Sequence, residues 1–529
     1  MLRISNIKLR ADFDPVMENQ LLAQKIQKIL RVKQDKILSF RISKKSIDAR
    51  EKNNIQLVYS IDVEMNNERS YLGIKNVSFI EPLAKVKKET NKKIRPVVVG
   101  SGPAGLFCAL LLAEHGLNPI VIERGMDVDR RKMAVAKFWK DGLLETDSNV
   151  QFGEGGAGTF SDGKLTTGIK NTRIPKVLSE LVEAGASPEI AYLAKPHIGT
   201  DILINVVRNI RHKIQRLGGE VRFETKMKDL MVENGEIRGV LLEKQGVSDI
   251  IETETVVLAV GHSARDTFYM LKNLGVEMIP KPFAVGVRIE HHQKDIDLQQ
   301  FGSFANNPLL GASEYKLNAH LPNGRGVYTF CMCPGGHVVA AASEKNTVVT
   351  NGMSYSARSG ENANSALLVS VTPKDFNGDI MAAIEFQRKL ERKAFELGGR
   401  NYFAPVQLVG DFLENKGSKQ LGDIIPTYSP GVTPTDLREC LDDFIVDSLK
   451  EGLRVMDKKL TGFIKHDAVL SAVESRSSSP VTIKRNPLTF ESNIKGLYPC
   501  GEGAGYAGGI TSSAVDGIKC AEAIMEIEV

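Results

Sequence analysis

The chain is poor in cysteine, with six among 529 residues, and this scarcity excludes a disulfide scaffold. No two pairs of those cysteines show zinc-ligand spacing. Long apolar runs are missing too. The longest, Ala104 to Ala113, is far short of the ~20 residues that a membrane span needs. The N-terminus, Met1-Leu-Arg-Ile-Ser-Asn-Ile-Lys-Leu-Arg10, has no apolar signal core, so secretion is not expected and a cytoplasmic location is.

What the sequence does hold is a soluble, globular composition, with 42% hydrophobic and 25% charged residues, and a length that calls for two or three domains. Glycine is in excess, 47 residues in all against a usual ~7%, and the excess is clustered. Charge is uneven. Residues 1–96 carry 21 Lys and Arg against 11 Asp and Glu, while the remainder carries 48 against 53. A basic module therefore precedes a mildly acidic body. Such a module can dock on nucleic acid or an acidic partner. Its positive residues are scattered and accompanied by few aromatics, which equally suits a solvated surface.

Residues 1–84 read as a small α+β domain: a strand over Ile4–Leu9, a helix over Val16–Leu30, and strands over Lys36–Ser46 and Ile55–Met65. Residues 85–95 are mostly charged and read as a linker. An α/β domain of alternating strand and helix patterns follows over 96–280. A mixed α+β substrate domain is expected at 281–455, and the first domain resumes over 456–529. The fold class is α/β, a Rossmann-type domain with an insertion.

Three glycine clusters carry the functional reading. In the first, an apolar strand at Val97 runs into Gly100-Ser-Gly-Pro-Ala-Gly105 and then a helix, with a second strand ending at Glu123. Gly100 allows the tight turn, Gly102 lets backbone approach a pyrophosphate, and Gly105 permits close helix–strand packing. The helix N-terminus offers free N–H groups to the anion. A carboxylate at Glu123 is placed to accept both ribose hydroxyls. The second cluster, Gln151 to Leu165, has five glycines between Gly153 and Gly163. No strand leads into it, so backbone passing close to an isoalloxazine ring fits better than a second pyrophosphate turn. A flexible surface loop is the alternative, although Phe152, Phe160 and Leu165 would anchor it. The third, Gly496 to Ile510, leads into a helix whose N-terminus suits the charge of reduced flavin, with Glu502 near a ribityl hydroxyl.

With these pieces in order, the sequence resembles FAD-dependent oxidoreductases of the glutathione-reductase-like group that hold one Rossmann-type FAD domain. Phe152 to Leu165, Lys195-Pro-His-Ile-Gly-Thr-Asp201 and Pro499 to Ile510 resemble more closely a family of uncharacterised bacterial FAD-dependent dehydrogenases with a small N-terminal α/β domain. The resemblance implies noncovalent FAD, held by Gly100, Ser101, Gly102, Pro103, Ala104, Gly105, Glu123 and Arg124. It extends to Gly155, Gly156, Gly158, Thr159, Met227 and Gly261, and finally to Gly501, Glu502, Gly508, Gly509 and Ile510. Glu502 departs from the broader group, where Asp is common.

Candidate proton-handling groups are Lys164, His197 and His262, each of which suits an ordinary structural role as well. Arg476 could bind a substrate carboxylate or the flavin. Cys500 reads as packing. Cys331-Met-Cys333 lacks the two-residue spacing of dithiol reductases, and its short loop would strain a bridge. A second dinucleotide fingerprint is missing, so NAD(P)H would reach the flavin over a non-Rossmann surface, or the substrate itself supplies electrons. Three function classes follow. The first is redox chemistry on a small organic substrate. The second is a flavin-dependent RNA-modifying enzyme that uses the basic domain, and the third is a flavin-holding assembly or sensor protein.

Overall fold

The computed structural model describes residues 1–80 and 94–527. The linker expected at 85–95 lies, except for Ile94 and Arg95, outside the described residues. No described helix is long and apolar enough to cross a membrane.

The N-terminal module is a four-stranded antiparallel sheet with one helix on its face. Its strands β1 (Leu2–Arg10), β2 (Ile37–Asp48), β3 (Gln56–Met65) and β4 (Val77–Phe79) run in the order β2-β3-β1-β4. In β1 the apolar residues Leu2 and Ile4 are followed by Ile7 and Leu9, an odd step that would turn half of them to solvent. A bulge resolves this. The pairing slips between Ile4 and Ile7, with Asn6 in the left-handed region (φ 61°), and all four side chains stay buried. Helix α1 (Glu18–Leu30) covers them with Leu22, Ile26 and Leu30, one face at a spacing of four.

The flavin body is a five-stranded parallel sheet in the order β23-β11-β5-β6-β7, built from β5 (Val97–Val99), β6 (Ile120–Ile122), β7 (Glu220–Arg222), β11 (Val256–Leu258) and β23 (Leu497–Pro499). Its central strands are uniformly apolar, as strands covered on both faces must be. Helix α2 (Pro103–Glu114) lies between β5 and β6, and α3 (Val128–Asp141), α4 (Ile174–Glu183) and α5 (Thr200–Arg216) fill the chain up to β7. An antiparallel trio, β8 (Lys226–Glu233), β9 (Glu236–Lys244) and β10 (Val247–Glu252), precedes β11, with the turn at Asn234-Gly235.

After α6 (Arg265–Asn273) and β12 (Met278–Pro280), the chain leaves this body through β13 (Phe283–His292). Helix α7 (Gln293–Phe301) follows, then β14 (Asn318–His320), β15 (Gly326–Cys333), β16 (His337–Ala340), β17 (Thr350–Met353) and β18 (Asn362–Val371). Next come α8 (Ile380–Leu397), β19 (Ala404–Leu408), α9 (Val409–Leu413), β20 (Val432–Pro434), α10 (Asp443–Asp457) and β21 (Val469–Glu474). A seven-stranded sheet runs β14-β15-β18-β13-β21-β19-β20. Central strand β21 lies beyond residue 455, where the sequence pattern placed the return to the flavin body. Its run of small and apolar residues is buried between β13 and β19. The chain then returns through β22 (Val481–Ile483), paired with β12, and β23 to helix α11 (Ile510–Met525).

Close packing of α11 on α2 fixes the site. A Cβ added at Gly517 would lie 2.1 Å from the Ala104 carbonyl, and one at Gly105 would lie 1.9 Å from the Gly100 carbonyl. Replacing Gly517 by valine should therefore destabilise the chain by about 1–3 kcal/mol or more and lower its melting temperature. An unchanged melt would show that the helices can move apart freely.

The N-terminal module is not a free-standing bead. Its core takes in Phe301 and Leu310 from the inserted segment, and Lys45 exchanges backbone hydrogen bonds with Tyr192 and Ala194 (both 2.8 Å). None of its residues lines the main cavity. A chain starting at Ile94 should thus keep FAD and its yellow colour while aggregating through the uncovered Phe301 and Leu310 patch. Soluble truncated protein without flavin would refute the first half of that expectation.

Candidate flavin site

The strand ends β5, β6, β11 and β23 open onto a cavity of about 380 Å³, where ligands bind in parallel sheets. Gly100 (φ 104°) turns the chain from β5 into α2, and a Cβ there would strike the Ala259 carbonyl at 2.3 Å. Gly102 is the N-cap of α2, and no side chain caps the helix. Its first N–H groups therefore remain available to an anion. Gly156 faces Gly102 so closely that its own Cβ would lie 3.0 Å from the Gly102 Cα. The second glycine cluster thus folds over the first at Gly156, and its later residues Gly158 and Lys164 also line the cavity.

Arg131 explains how so glycine-rich a loop holds its shape. Fully buried, it donates to the carbonyls of Asn149 (2.8 Å), Val150 (3.0 Å), Gly153 (3.2 Å) and Glu154 (2.6 Å). Burial lowers its pKa to about 10, so it remains a cation at neutral pH. The Thr200 hydroxyl donates to the Thr159 carbonyl and the Thr511 hydroxyl to the Leu165 carbonyl (2.8 Å), tying the loop to α5 and α11.

Of the residues expected to hold FAD, Gly100, Gly102, Pro103 and Ala104 line the cavity, as do Glu123, Arg124 and Met227. Gly156, Gly158 and Gly261 line it as well, and Glu502, Gly508, Gly509 and Ile510 form its far wall. Five others stand behind the wall. Ser101 donates its N–H and hydroxyl to Glu123 (2.9 and 2.8 Å), Gly105 packs on Gly100, Gly155 packs on Thr159 and Val207, and Gly501 donates to Asp516 (2.8 Å). Thr159 is buried and shapes the loop. Glu123 also accepts from Gly125 and Gly153 (2.9 and 3.0 Å), so protein donors already orient both of its oxygens.

Lys164 and His262 line the cavity, and His197 does not. The His197 ring is turned to the Ser356 carbonyl (3.0 Å), and burial, then Arg358, lowers its pKa. A general-acid role at the flavin is therefore withdrawn for it. Lys164 donates to the Met332 carbonyl and pairs with Asp162 (3.3 Å). His262 Nδ1 meets Glu502 at 2.6 Å, and Ser479 donates to the other Glu502 oxygen (2.9 Å). His262 Nε2 is buried without a partner. Together with the glycine cradle and the uncapped α2 terminus, that orphaned nitrogen fits a bound dinucleotide cofactor.

Arg476 also lines the cavity, but its charge is already used. It pairs with Glu391 (3.0 and 2.9 Å) and donates to Ser263 (3.2 Å) and Ser343. Free capture of a substrate carboxylate is corrected accordingly. Cys500 is buried with Cys520 and Asp516, and the neighbouring Cys520 thiol and burial push its thiol pKa up. Arg485 donates to Asp516 (2.9 and 2.6 Å) within that trio, which disfavours a metal cation there.

Apart from Cys331, the sequence pattern did not single out the wall that the inserted sheet supplies: Phe330, Cys331, Asn351 and Glu474. Glu474, at the end of β21, is 4% exposed. It accepts from Arg288 (3.0 Å) and from Thr350 (3.3 Å). Burial pushes its carboxyl up to about 7, against the pull of Arg288. The same pair raises the pKa of Arg288, and the two shifts pull in opposite senses. Arg288 also serves Asn364 (2.7 Å) and the Cys331 carbonyl (2.6 Å), so it stays charged whether Glu474 is ionised or not. For Glu474, its place directly before Ser475-Arg476 in the sequence was the one available hint.

Gly102 has ordinary backbone (φ −71°), and an added Cβ would be 3.8 Å from its nearest neighbour, the Gly156 Cα. Gly102→Val should thus fold normally but stay colourless with FAD, by circular dichroism and visible absorption. A yellow variant would put the pyrophosphate elsewhere.

Comparison with known proteins agrees with this geometry. Residues 95–148 match the FAD binding domain, residues 282–477 match the family described as FAD-dependent protein, C-terminal domain-like, and residues 1–64 match a domain of unknown function. An uncharacterized protein of Clostridium beijerinckii is 50% identical over 533 aligned positions, covering 99% of this chain and 98% of that one. A digeranylgeranylglycerophospholipid reductase of Methanocella arvoryzae is 27% identical over 169 residues, 31% of this chain and 38% of that protein. Among solved structures, the flavin-dependent brominase Bmp2 is similar at 14% identity and a TM-score of 0.38, over 82% of this chain and 79% of that one. The chain belongs to the family of the Clostridium beijerinckii protein, a family of FAD-dependent proteins with a Rossmann-type flavin domain.

Proposed function

We propose that the chain oxidises or reduces a small organic substrate on noncovalent FAD, with Glu474 as the group that carries the proton. The carrying observation is Glu474 itself: a buried carboxyl with a pKa near 7, placed on the cavity wall by the inserted sheet. Bound FAD supplies the electron-pair chemistry, which leaves the chain to exclude water, orient the substrate and hold one proton.

Each task has residues on the page. Phe330 and Asn351 add a part-apolar, part-polar stretch to the cavity wall. Glu474 is protonated below about pH 7 and ionised above it, the range in which a general acid or base works best. Arg288 fixes its carboxylate, and the Thr350 hydroxyl holds the second oxygen. Lys164, held by Asp162 and the Met332 carbonyl, contributes a positive charge to the lining. The basic N-terminal module adds nothing to this lining, which favours a small substrate over RNA.

Anaerobic stopped-flow mixing with a metabolite panel, NADH and NADPH tests this reading. One class of small molecule should bleach the flavin at a useful rate, with a kinetic ionisation near pH 7. Glu474→Gln should slow that step roughly a hundredfold and flatten its pH profile. A flavin bleached by nothing would leave a holding or sensing protein instead, and an unaltered profile in Glu474→Gln would remove Glu474 from the chemistry.

A further inference from the structure

We propose that Cys331 and Cys333 form a redox-active dithiol that exchanges an electron pair with the bound flavin. This rests on the flavin assignment above and adds a redox group supplied by the inserted sheet. Cys331 lines the cavity beside Glu474 and Lys164, while Cys333 is fully buried behind it. Residues two apart on a regular strand point to the same face but are held apart by the extended backbone. Here the strand is not regular. The β15–β18 pairing slips by one residue between Phe330 and Cys333, and Cys331 itself adopts a left-handed backbone (φ 43°). A bulge of this kind re-aims side chains, and bulges cluster beside active sites.

The thiols are hydrogen-bond neighbours. Cys333 Sγ donates to the Cys331 carbonyl (3.2 Å), and Arg288 lies 3.5 Å from Cys333 Sγ. Their environments differ in the way a nucleophile and its resolving partner require. The Cys333 hydrogen bond and then the charges of Arg288 and Lys164, against burial, draw the Cys331 thiol down to about 6. Burial drives Cys333 upward. At neutral pH the half-buried Cys331 is a thiolate and the hidden Cys333 a thiol.

The exchange balances on these two residues and the flavin. Cys331 enters as thiolate and Cys333 as thiol, and one S–S bond forms. Two electrons pass to oxidised flavin, and the proton leaving Cys333 ends on the reduced flavin, so the single negative charge is kept. Glu474, on the same cavity wall as Cys331, can relay that proton. With only Met332 between the cysteines, the bridge closes a tight ring, and strained disulfides are the readily reduced ones. The strain that argues against a structural bridge therefore favours a catalytic one.

Three readouts test this on the full-length holoprotein. Anaerobic dithionite titration should consume about four electrons per flavin, two for the cofactor and two for the dithiol couple. Cys331→Ser and Cys333→Ser should each consume about two. Free thiols counted in denaturant should fall from six in the reduced protein to four after mild oxidation. Cys333→Ser should show a long-wavelength charge-transfer band from the stranded Cys331 thiolate against oxidised flavin, and Cys331→Ser should lack it. Two electrons per flavin in the unaltered protein, with six thiols after oxidation, would overturn the proposal. Protein that binds no FAD would overturn the flavin assignment instead. The thiol count on that protein still decides whether the pair closes, and six thiols after oxidation would refute it.

Discussion

Much of the cavity depends on one buried carboxylate, Glu391. It sits on α8 of the inserted segment and accepts from Arg265 on α6 of the flavin body (2.7 and 2.9 Å) and from Arg476 after β21 (3.0 and 2.9 Å). The Ser475 hydroxyl donates to it as well (2.7 Å). Two guanidiniums and one carboxylate leave a net positive charge in the interior. The nearby Glu344, which accepts from Arg265 (2.7 Å) and Arg388 (2.6 Å), offsets it. Removing one partner of such a set leaves an uncompensated buried charge, at a cost of about 3–5 kcal/mol. The arrangement is worth that risk because it fixes where the inserted sheet meets the glycine turns. Arg476 carries the constraint onward through Ser263 to Gln151, at the start of the second glycine cluster.

From that joint the two halves of the site take complementary roles. The flavin body offers backbone: glycines, an uncapped helix end and carbonyl-braced loops, all of which recognise a phosphate-bearing cofactor without side-chain chemistry. The inserted sheet offers side chains, with Glu474, Cys331, Phe330 and Asn351 closing the opposite face. A cofactor held by one domain and a reactive wall supplied by the other permits the wall to change while the cofactor site stays as it is. Family resemblance in the flavin body therefore says little about substrate.

The same division explains what could be read from the sequence. The β5–α2–β6 unit, Glu123 and the three glycine clusters were legible because each is local: turn, helix start and strand end fall within a few tens of residues. The helix and strands of the N-terminal module were legible from periodicity, except for the short β4 and the bulge at Asn6. The inserted wall was not. Glu474 faces Arg288 across 186 positions of sequence, and Glu391 faces Arg476 across 85, and neither pairing leaves a mark on local composition. Arg476 and His197 were misread for the same reason, since the sequence shows a cation or an imidazole but not the carboxylate or carbonyl that already occupies it. The central position of β21 was missed because its place is set by pairing with β13 and β19.

Glu391 and Glu474 also show why two buried carboxylates in one protein ionise so differently. Desolvation raises both. Glu391 meets two guanidiniums and a hydroxyl, and the attraction wins, so its pKa falls well below the ordinary carboxylate range. Glu474 meets one guanidinium whose donors are shared with Asn364 and the Cys331 carbonyl, and burial wins. Their contributions to stability therefore run in opposite directions with pH. The lowered Glu391 contributes stability above the unfolded carboxylate pKa, and that contribution is lost as pH falls toward the folded value. The raised Glu474 costs nothing below the unfolded pKa of 4.5 and about 3 kcal/mol once pH has risen through about 7. A fold that tolerates this penalty at neutral pH, next to a carboxylate fully paired against it, keeps one proton-exchanging group on the cavity wall while the joint beside it stays ionised.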